Sequence, residues 1–254
     1  MSLIQAPPAA TGQFILLCGA LGCAAGVGLN ALIDWLPARL QRDWRLECYD
    51  YLQLPPPATA DEAPPSRAPG RRYPVVIFLA ALGSAAAAWR FGQSPAALAA
   101  LIYTWALLAL AFIDSERQLL PDHLTMPMLW LGLLLSLFHL FADSRDAIIG
   151  AAAGYLSLWS VYKTFLALTG KEGMGYGDFK LLAMCGAWLG WAYLPQIIFL
   201  ASLGGGLAGL ALIWRNQLAP GQAMPFGPYL AAAGWLAMFC GDRLNEYYFD
   251  WVGL

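Results

Sequence analysis

Charge is scarce in this sequence. Asp, Glu, Lys and Arg make up 12% of its 254 residues, against roughly a quarter in a soluble domain. So few charges cannot cover a water-exposed surface. The apolar share, 59%, runs along the whole chain rather than collecting in one anchor. A soluble globular class is thereby excluded and a polytopic membrane protein is expected. There is no dense basic tract and the net charge is −2, so no nucleic-acid partner is expected. Cysteine pairs are missing too. Cys18, Cys23, Cys48, Cys185 and Cys240 form no Cys-x-x-Cys, and all but Cys48 sit in apolar runs. Neither a zinc site nor a disulfide framework is expected from that pattern. Nothing basic precedes the first apolar run, so a cleavable signal peptide is not expected either.

Apolar runs long enough to cross or nearly cross a bilayer are what remain. They fall near 13–33, 74–89, 96–113, 124–141, 147–169, 179–193, 195–214 and 226–240. Backbone polar groups must be satisfied within lipid, so helices are the expected element. The fold class is therefore all-α, a polytopic bundle of about eight transmembrane helices in a lipid bilayer. Eleven Trp and eleven Tyr suit two interfacial belts. One long polar segment interrupts the pattern, from about Asp34 to Tyr73; its second part, PPPATADEAPPSRAPGRR, reads as a flexible or extended loop. The expected organisation is a first helix in 1–33, a loop in 34–73 and a helical bundle in 74–254.

Lys and Arg set the orientation. With the long loop inside and about eight alternating spans, the inside connections hold Arg39, Arg42, Arg45, Arg67, Arg71, Arg72, Arg117, Lys171, Lys180 and Arg215. The outside connections and C-terminus hold Arg90, Arg145 and Arg243. Segments 114–124 and 170–178 then face the cytoplasm.

Two carboxylates lie on that side at helix ends. Asp114 closes the third run, and Asp178 opens the sixth after Gly173, Gly175 and Gly177. Taken singly, each is an ordinary cap or interfacial residue. Asp122, in Leu-Pro-Asp, reads as a possible cap of the fourth helix. Two carboxylates converging from different helices can do more. One takes a proton from water while its protonated partner donates to a carbonyl. Close like charges cannot both ionise, so such a pair shares a proton. Asp178 stands at the positive end of its own helix and Asp114 at the negative end. That contrast nominates Asp178 as base and Asp114 as acid. The competing class is a transporter or channel component that binds ions or protons at intramembrane aspartates.

Together the motifs resemble one family. Phe112-Ile113-Asp114, Leu119-Leu120-Pro121-Asp122, Leu124-Thr125, Pro127 and Leu129-Trp130-Leu131-Gly132 resemble the first aspartate region of type IV prepilin peptidases. Gly173-Met174-Gly175-Tyr176-Gly177-Asp178-Phe179-Lys180-Leu181 is similar to that family's GxGD region, and Met224-Pro225-Phe226-Gly227-Pro228-Tyr229-Leu230-Ala231 to its last characteristic helix start. Gly26, Leu29-Asn30, Leu36-Pro37 and Arg72-Tyr73-Pro74 match its first two helices. The resemblance implies a multi-pass protein of the bacterial inner (cytoplasmic) membrane with its active site on the cytoplasmic side. Its substrates would be type IV prepilins and type II secretion pseudopilins, whose basic leaders it removes. It implies Asp114 and Asp178 as the catalytic pair. Gly175, Gly177, Lys180, Asp122, Glu116 and Glu172 are expected around them, the three acids steering a basic leader. Proteolysis of this kind needs no cofactor. Many members also N-methylate the new N-terminus with S-adenosylmethionine. The usual members carry two zinc-binding CxxC pairs in the first loop and a Glu after Arg-Tyr-Pro; this chain has no cysteine in PPPATADEAPPSRAPG, and Ile77 at the matching place. Peptidase activity needs neither feature, whereas methyl transfer is the activity these departures touch.

Overall fold

The computed structural model describes residues 12–55, 70, 72–171, 173–215 and 224–252, the last eleven of these as backbone only. Glu172, Arg71 and the stretch 56–69 lie outside the described residues. Eight α-helices follow one another: α1 (Gly12–Tyr51), α2 (Arg72–Phe91), α3 (Pro95–Arg117), α4 (Asp122–Ser136), α5 (Ser144–Thr169), α6 (Tyr176–Leu189), α7 (Leu194–Trp214) and α8 (Gly227–Val252). A single 3-10 turn, Trp191–Tyr193, leads into α7. The architecture is all-helical, as expected. Among the described residues four stretches are long and apolar enough to span a bilayer: α1, α2, α3, and α7 with its leading turn. Contacts divide the chain into two compact units, Met1–Gln93 and Ser94–Leu254.

In the first unit, α1 and α2 pair along small residues. Gly22 and Gly26 sit on the buried stripe of α1, with Cys18, Leu29 and Ile33. A Cβ on Gly26 would lie 2.6 Å from the Ile77 Cα, so only glycine lets the two backbones come this close. Asn30 is fully buried and donates to Gly26 O (2.9 Å) and Tyr73 O (3.2 Å). One turn on, Asp34 accepts from Arg72 (2.7 Å) and from the Tyr73 hydroxyl (3.2 Å).

The structure differs from expectation at the end of α1. The helix does not stop near residue 33 but runs 40 residues to Tyr51, through the first half of the polar segment. At about 1.5 Å per residue it is about 60 Å long, roughly twice a bilayer's hydrocarbon core. The reason is compositional. Residues 38–51 are polar yet rich in Ala, Leu, Arg, Gln and Glu, which favour helix. Polarity ends a membrane span without ending a helix. Pro37 is the one breaker inside it, and it removes a single backbone donor.

The second unit is built around α6. From Asp178 to Leu189 every residue of α6 except Lys180 is buried, so a 14-residue helix is walled on all sides. α4, α5 and α8 supply the walls. Gly150 of α5 faces Gly186 with each glycine's missing Cβ directed at the other's backbone, and Gly154 sits 2.7 Å (as a built Cβ) from Leu182 O. Gly132 of α4 makes room for the Trp188 indole, whose Nε1 donates to Met128 O at 2.7 Å. By contrast, only 17% of the apolar window ending in α7 is buried, and Phe199, Leu207 and Leu210 point outward. Such an apolar perimeter suits hydrocarbon and not water.

Gly150→Ala should therefore lower thermal stability in detergent by about 2 kcal/mol or more, through overpacking against α6. Gly206→Ala, whose Cβ meets nothing within 4 Å, should melt like the parent protein.

Candidate active site

α3 ends because Gln118 adopts the left-handed region (φ 52, ψ 43) and donates its N–H to Asp114 O at 2.8 Å. A non-glycine residue in that region is strained, which marks the turn as a place where geometry is imposed. Pro121 then blocks any continuation of the helix and opens α4 as its N-cap. The turn leaves Asp114 on the last full turn of α3, only 6% exposed. Its Oδ2 accepts from the backbone N–H of Gly227 at 2.9 Å. Gly227 opens α8, and Pro228 after it has no N–H, so Gly227 presents the free amide of that helix start. A Cβ on Gly227 would lie 2.6 Å from Asp114 Oδ2.

Asp178 reaches the same place from α6. Gly175 is the N-cap in extended conformation, and Asp178 follows in the first turn, 7% exposed. Its Oδ1 is buried and has no hydrogen-bond partner among the described residues. A bare buried carboxylate oxygen is costly, so the position calls for a proton, a water or a substrate group. The two carboxylates are close enough for the charge of Asp114 to act on Asp178.

Asp114 and Asp178 share one cavity of about 460 Å³. Leu120, Met174, Met224 and Phe226 form its apolar walls, and Gln118, Gly173, Gly175 and Gly177 complete it. That volume suits a short stretch of extended peptide. A larger hollow of about 670 Å³ follows Gln41, Trp44, Arg45, Cys48, Tyr49 and Leu52 on α1 and holds no pair of carboxylates. Among the described residues no group of three His, Cys, Asp or Glu is placed to hold a metal ion.

The remaining expected residues divide. Gly175 and Gly177 line the cavity. Gly177 is needed for contact, since its Cβ would lie 2.7 Å from the Leu120 Cβ; that of Gly175 would meet only Asp178 Oδ2, at 3.7 Å. Lys180 and Asp122 do not line it. They form an ion pair of 2.6 Å that ties the first turn of α6 to the first turn of α4. The charge of Asp122 is thus balanced by Lys180, which removes it as a free steering charge. Glu116 is half-buried and lies outside the cavity wall. Glu172 is outside the described residues.

Sequence reasoning noticed Gly227 and the apolar wall residues Leu120, Met174, Met224 and Phe226 only as letters of motifs, and it passed over Gln118. The Gly227 contact is made by a backbone amide, which leaves no side-chain signature. The one available hint was glycine set between Pro225-Phe226 and Pro228 at a helix start.

Residues 101–210 match the family model described as the type IV leader peptidase family. A prepilin leader peptidase/N-methyltransferase of Stutzerimonas stutzeri is 42% identical, over 95% of this chain and 96% of its own. Proteins of the same name are similar in Pseudomonas aeruginosa strain PAO1 (42% identical; 94% and 95% covered) and Aeromonas hydrophila (44%; 88% and 89%). No solved structure matches the chain.

The two glycines should respond differently to alanine. Gly177→Ala should cut cleavage of a prepilin substrate at least about tenfold by displacing Leu120 from the cavity wall. Gly175→Ala should fold normally and keep most of its activity. Initial rates and melting curves of the two variants, compared side by side, check this.

Proposed function

Because the chain belongs to the type IV leader peptidase family, we propose that Asp114 and Asp178 are the acid–base dyad with which it removes the leaders of prepilins. The carrying observation is their convergence, from α3 and α6, on one cavity with apolar walls. The family membership sets aside the transporter reading of the same two residues.

Cleavage uses water held between the carboxylates. The ionised carboxylate takes a proton from the water as its oxygen bonds to the scissile carbonyl carbon. The protonated carboxyl gives its proton to the carbonyl oxygen. The resulting diol collapses: one of its hydroxyls returns a proton to the dyad as the carbonyl re-forms, the C–N bond breaks, and the departing nitrogen takes up the proton that the dyad had drawn from water. One water is consumed and the pair returns to its starting protonation. No metal takes part in these steps. The substrate's apolar segment remains in the bilayer while the cavity receives the stretch just outside it.

The proposed setting is the bacterial inner membrane with the cavity on the cytoplasmic side. The excess of Lys and Arg in the connections on that side supports it. The proposed substrates are type IV prepilins and type II secretion pseudopilins. The relatives' name also includes an N-methyltransferase, for which S-adenosylmethionine would be the donor. The described residues of the first unit do not present the carboxylate that usual members carry after Arg-Tyr-Pro. Ile77 stands there, pressed against Gly26, and Asp34 is engaged by Arg72 and Tyr73.

Asp114→Asn and Asp178→Asn should each lower leader cleavage by about 10³-fold or more while accumulating in the membrane like the parent. Retained cleavage in either variant would end the dyad reading. The parent's pH–rate profile should be bell-shaped, since one carboxylate must be ionised and the other protonated. Incubation of the purified protein with a prepilin and S-adenosylmethionine, followed by mass measurement, should show loss of the leader. A further methyl mass on the product would establish the second activity.

A further inference from the structure

The two carboxylates are not equivalent, and the difference runs opposite to the one their own helices suggest. Asp114 lies at the C-terminal end of α3, where a helix dipole opposes negative charge. Its carboxylate, however, faces the start of α8. Oδ2 receives the Gly227 amide at 2.9 Å in a buried setting, and hydrogen bonding from a helix-opening amide stabilises a carboxylate anion. Asp178 stands at the start of α6, where the Gly175 amide acts on its carboxylate. Its Oδ1 nevertheless stays buried without a partner among the described residues. An anion loses more from a bare buried oxygen than a neutral carboxyl group does.

We infer that Gly227 is a positioning residue: its amide holds Asp114 as the ionised, water-activating carboxylate and leaves the shared proton on Asp178. This rests on the dyad reading and deepens it. It also accounts for glycine at position 227. Any side chain there would place a Cβ 2.6 Å from Oδ2 and 3.0 Å from Cγ, pushing the carboxylate off the amide. Among the described residues lining the cavity, which come from the post-α3 turn, the stretch before α6 and the approach to α8, Asp178 is the one other ionisable side chain. Asp122 and Lys180 on α4 and α6 neutralise each other outside it. On α3 itself, Glu116 and Arg117 lie beyond the wall.

Two measurements test the assignment. A small epoxide esterifies an ionised carboxylate: the carboxylate oxygen bonds to an epoxide carbon, the ring C–O bond breaks, and the alkoxide takes a proton from water. Treatment of the intact parent protein, followed by peptide mapping, should place the adduct on Asp114. An adduct on Asp178 overturns the assignment. The second measurement is the pH–rate profile of Gly227→Ala. Loss of the amide contact should move the acidic limb upward by about one pH unit, a tenfold loss at low pH that fades toward the optimum. A merely structural role would lower the rate equally at every pH, and that outcome also overturns the inference. Failure of the dyad itself looks different: it would appear as cleavage by Asp114→Asn or Asp178→Asn. With both inactive and the adduct on Asp178, the dyad stands and only the roles are exchanged.

Discussion

The second unit depends on how closely other helices can approach α6. Glycines set that distance. Gly150 and Gly186 bring two backbones into contact, Gly154 admits the Leu182 carbonyl, and Gly132 admits the Trp188 ring. Without these gaps α6 could not be buried on every side, and a helix of 14 residues is too short to stand in a bilayer alone. Association of helices in lipid gains little from the hydrophobic effect, because lipid tails are as apolar as the side chains. Close van der Waals contact has to supply the difference, and it falls off steeply with distance. The position of Asp178 is therefore set by contacts several turns away from it.

The same packing resolves an electrostatic problem. A carboxylate away from water is expensive unless paired or hydrogen-bonded. This protein places both carboxylates at helix ends, where backbone groups are unspent. α3 contributes the carboxylate of Asp114, and α8 contributes the amide that satisfies it. α6 contributes Asp178, one of whose oxygens has no partner among the described residues. The apolar walls of Leu120, Met174, Met224 and Phe226 border the pair. An isolated carboxylate in water has neither the fixed partner nor the low dielectric.

Much of this was legible in the sequence, and the failures have physical causes. The helices were readable as apolar runs, although among the described residues only four stretches are long and apolar enough to span a bilayer. Asp114 and Asp178 were readable because charge is rare in such a chain and both sit at span edges. The end of α1 was misread because polarity was taken for loop, although residues 38–51 are good helix formers. Lys180 and Asp122 were grouped with the site because they are close in sequence to the aspartates, yet they pair with each other. The environment of Asp114 was missed because its donor is a backbone amide 113 residues away. Helix-end reasoning sees only a residue's own helix.

That long separation has a consequence for how the protein comes into being. A chain is made and inserted in order, and α8 follows both α3 and α6. When α3 and α6 are already in the bilayer, Asp114 still lacks its donor. Both carboxylates are present, but the backbone partner of Asp114 has yet to be synthesised. The Asp114 contact is thus completed only when the start of α8 has docked.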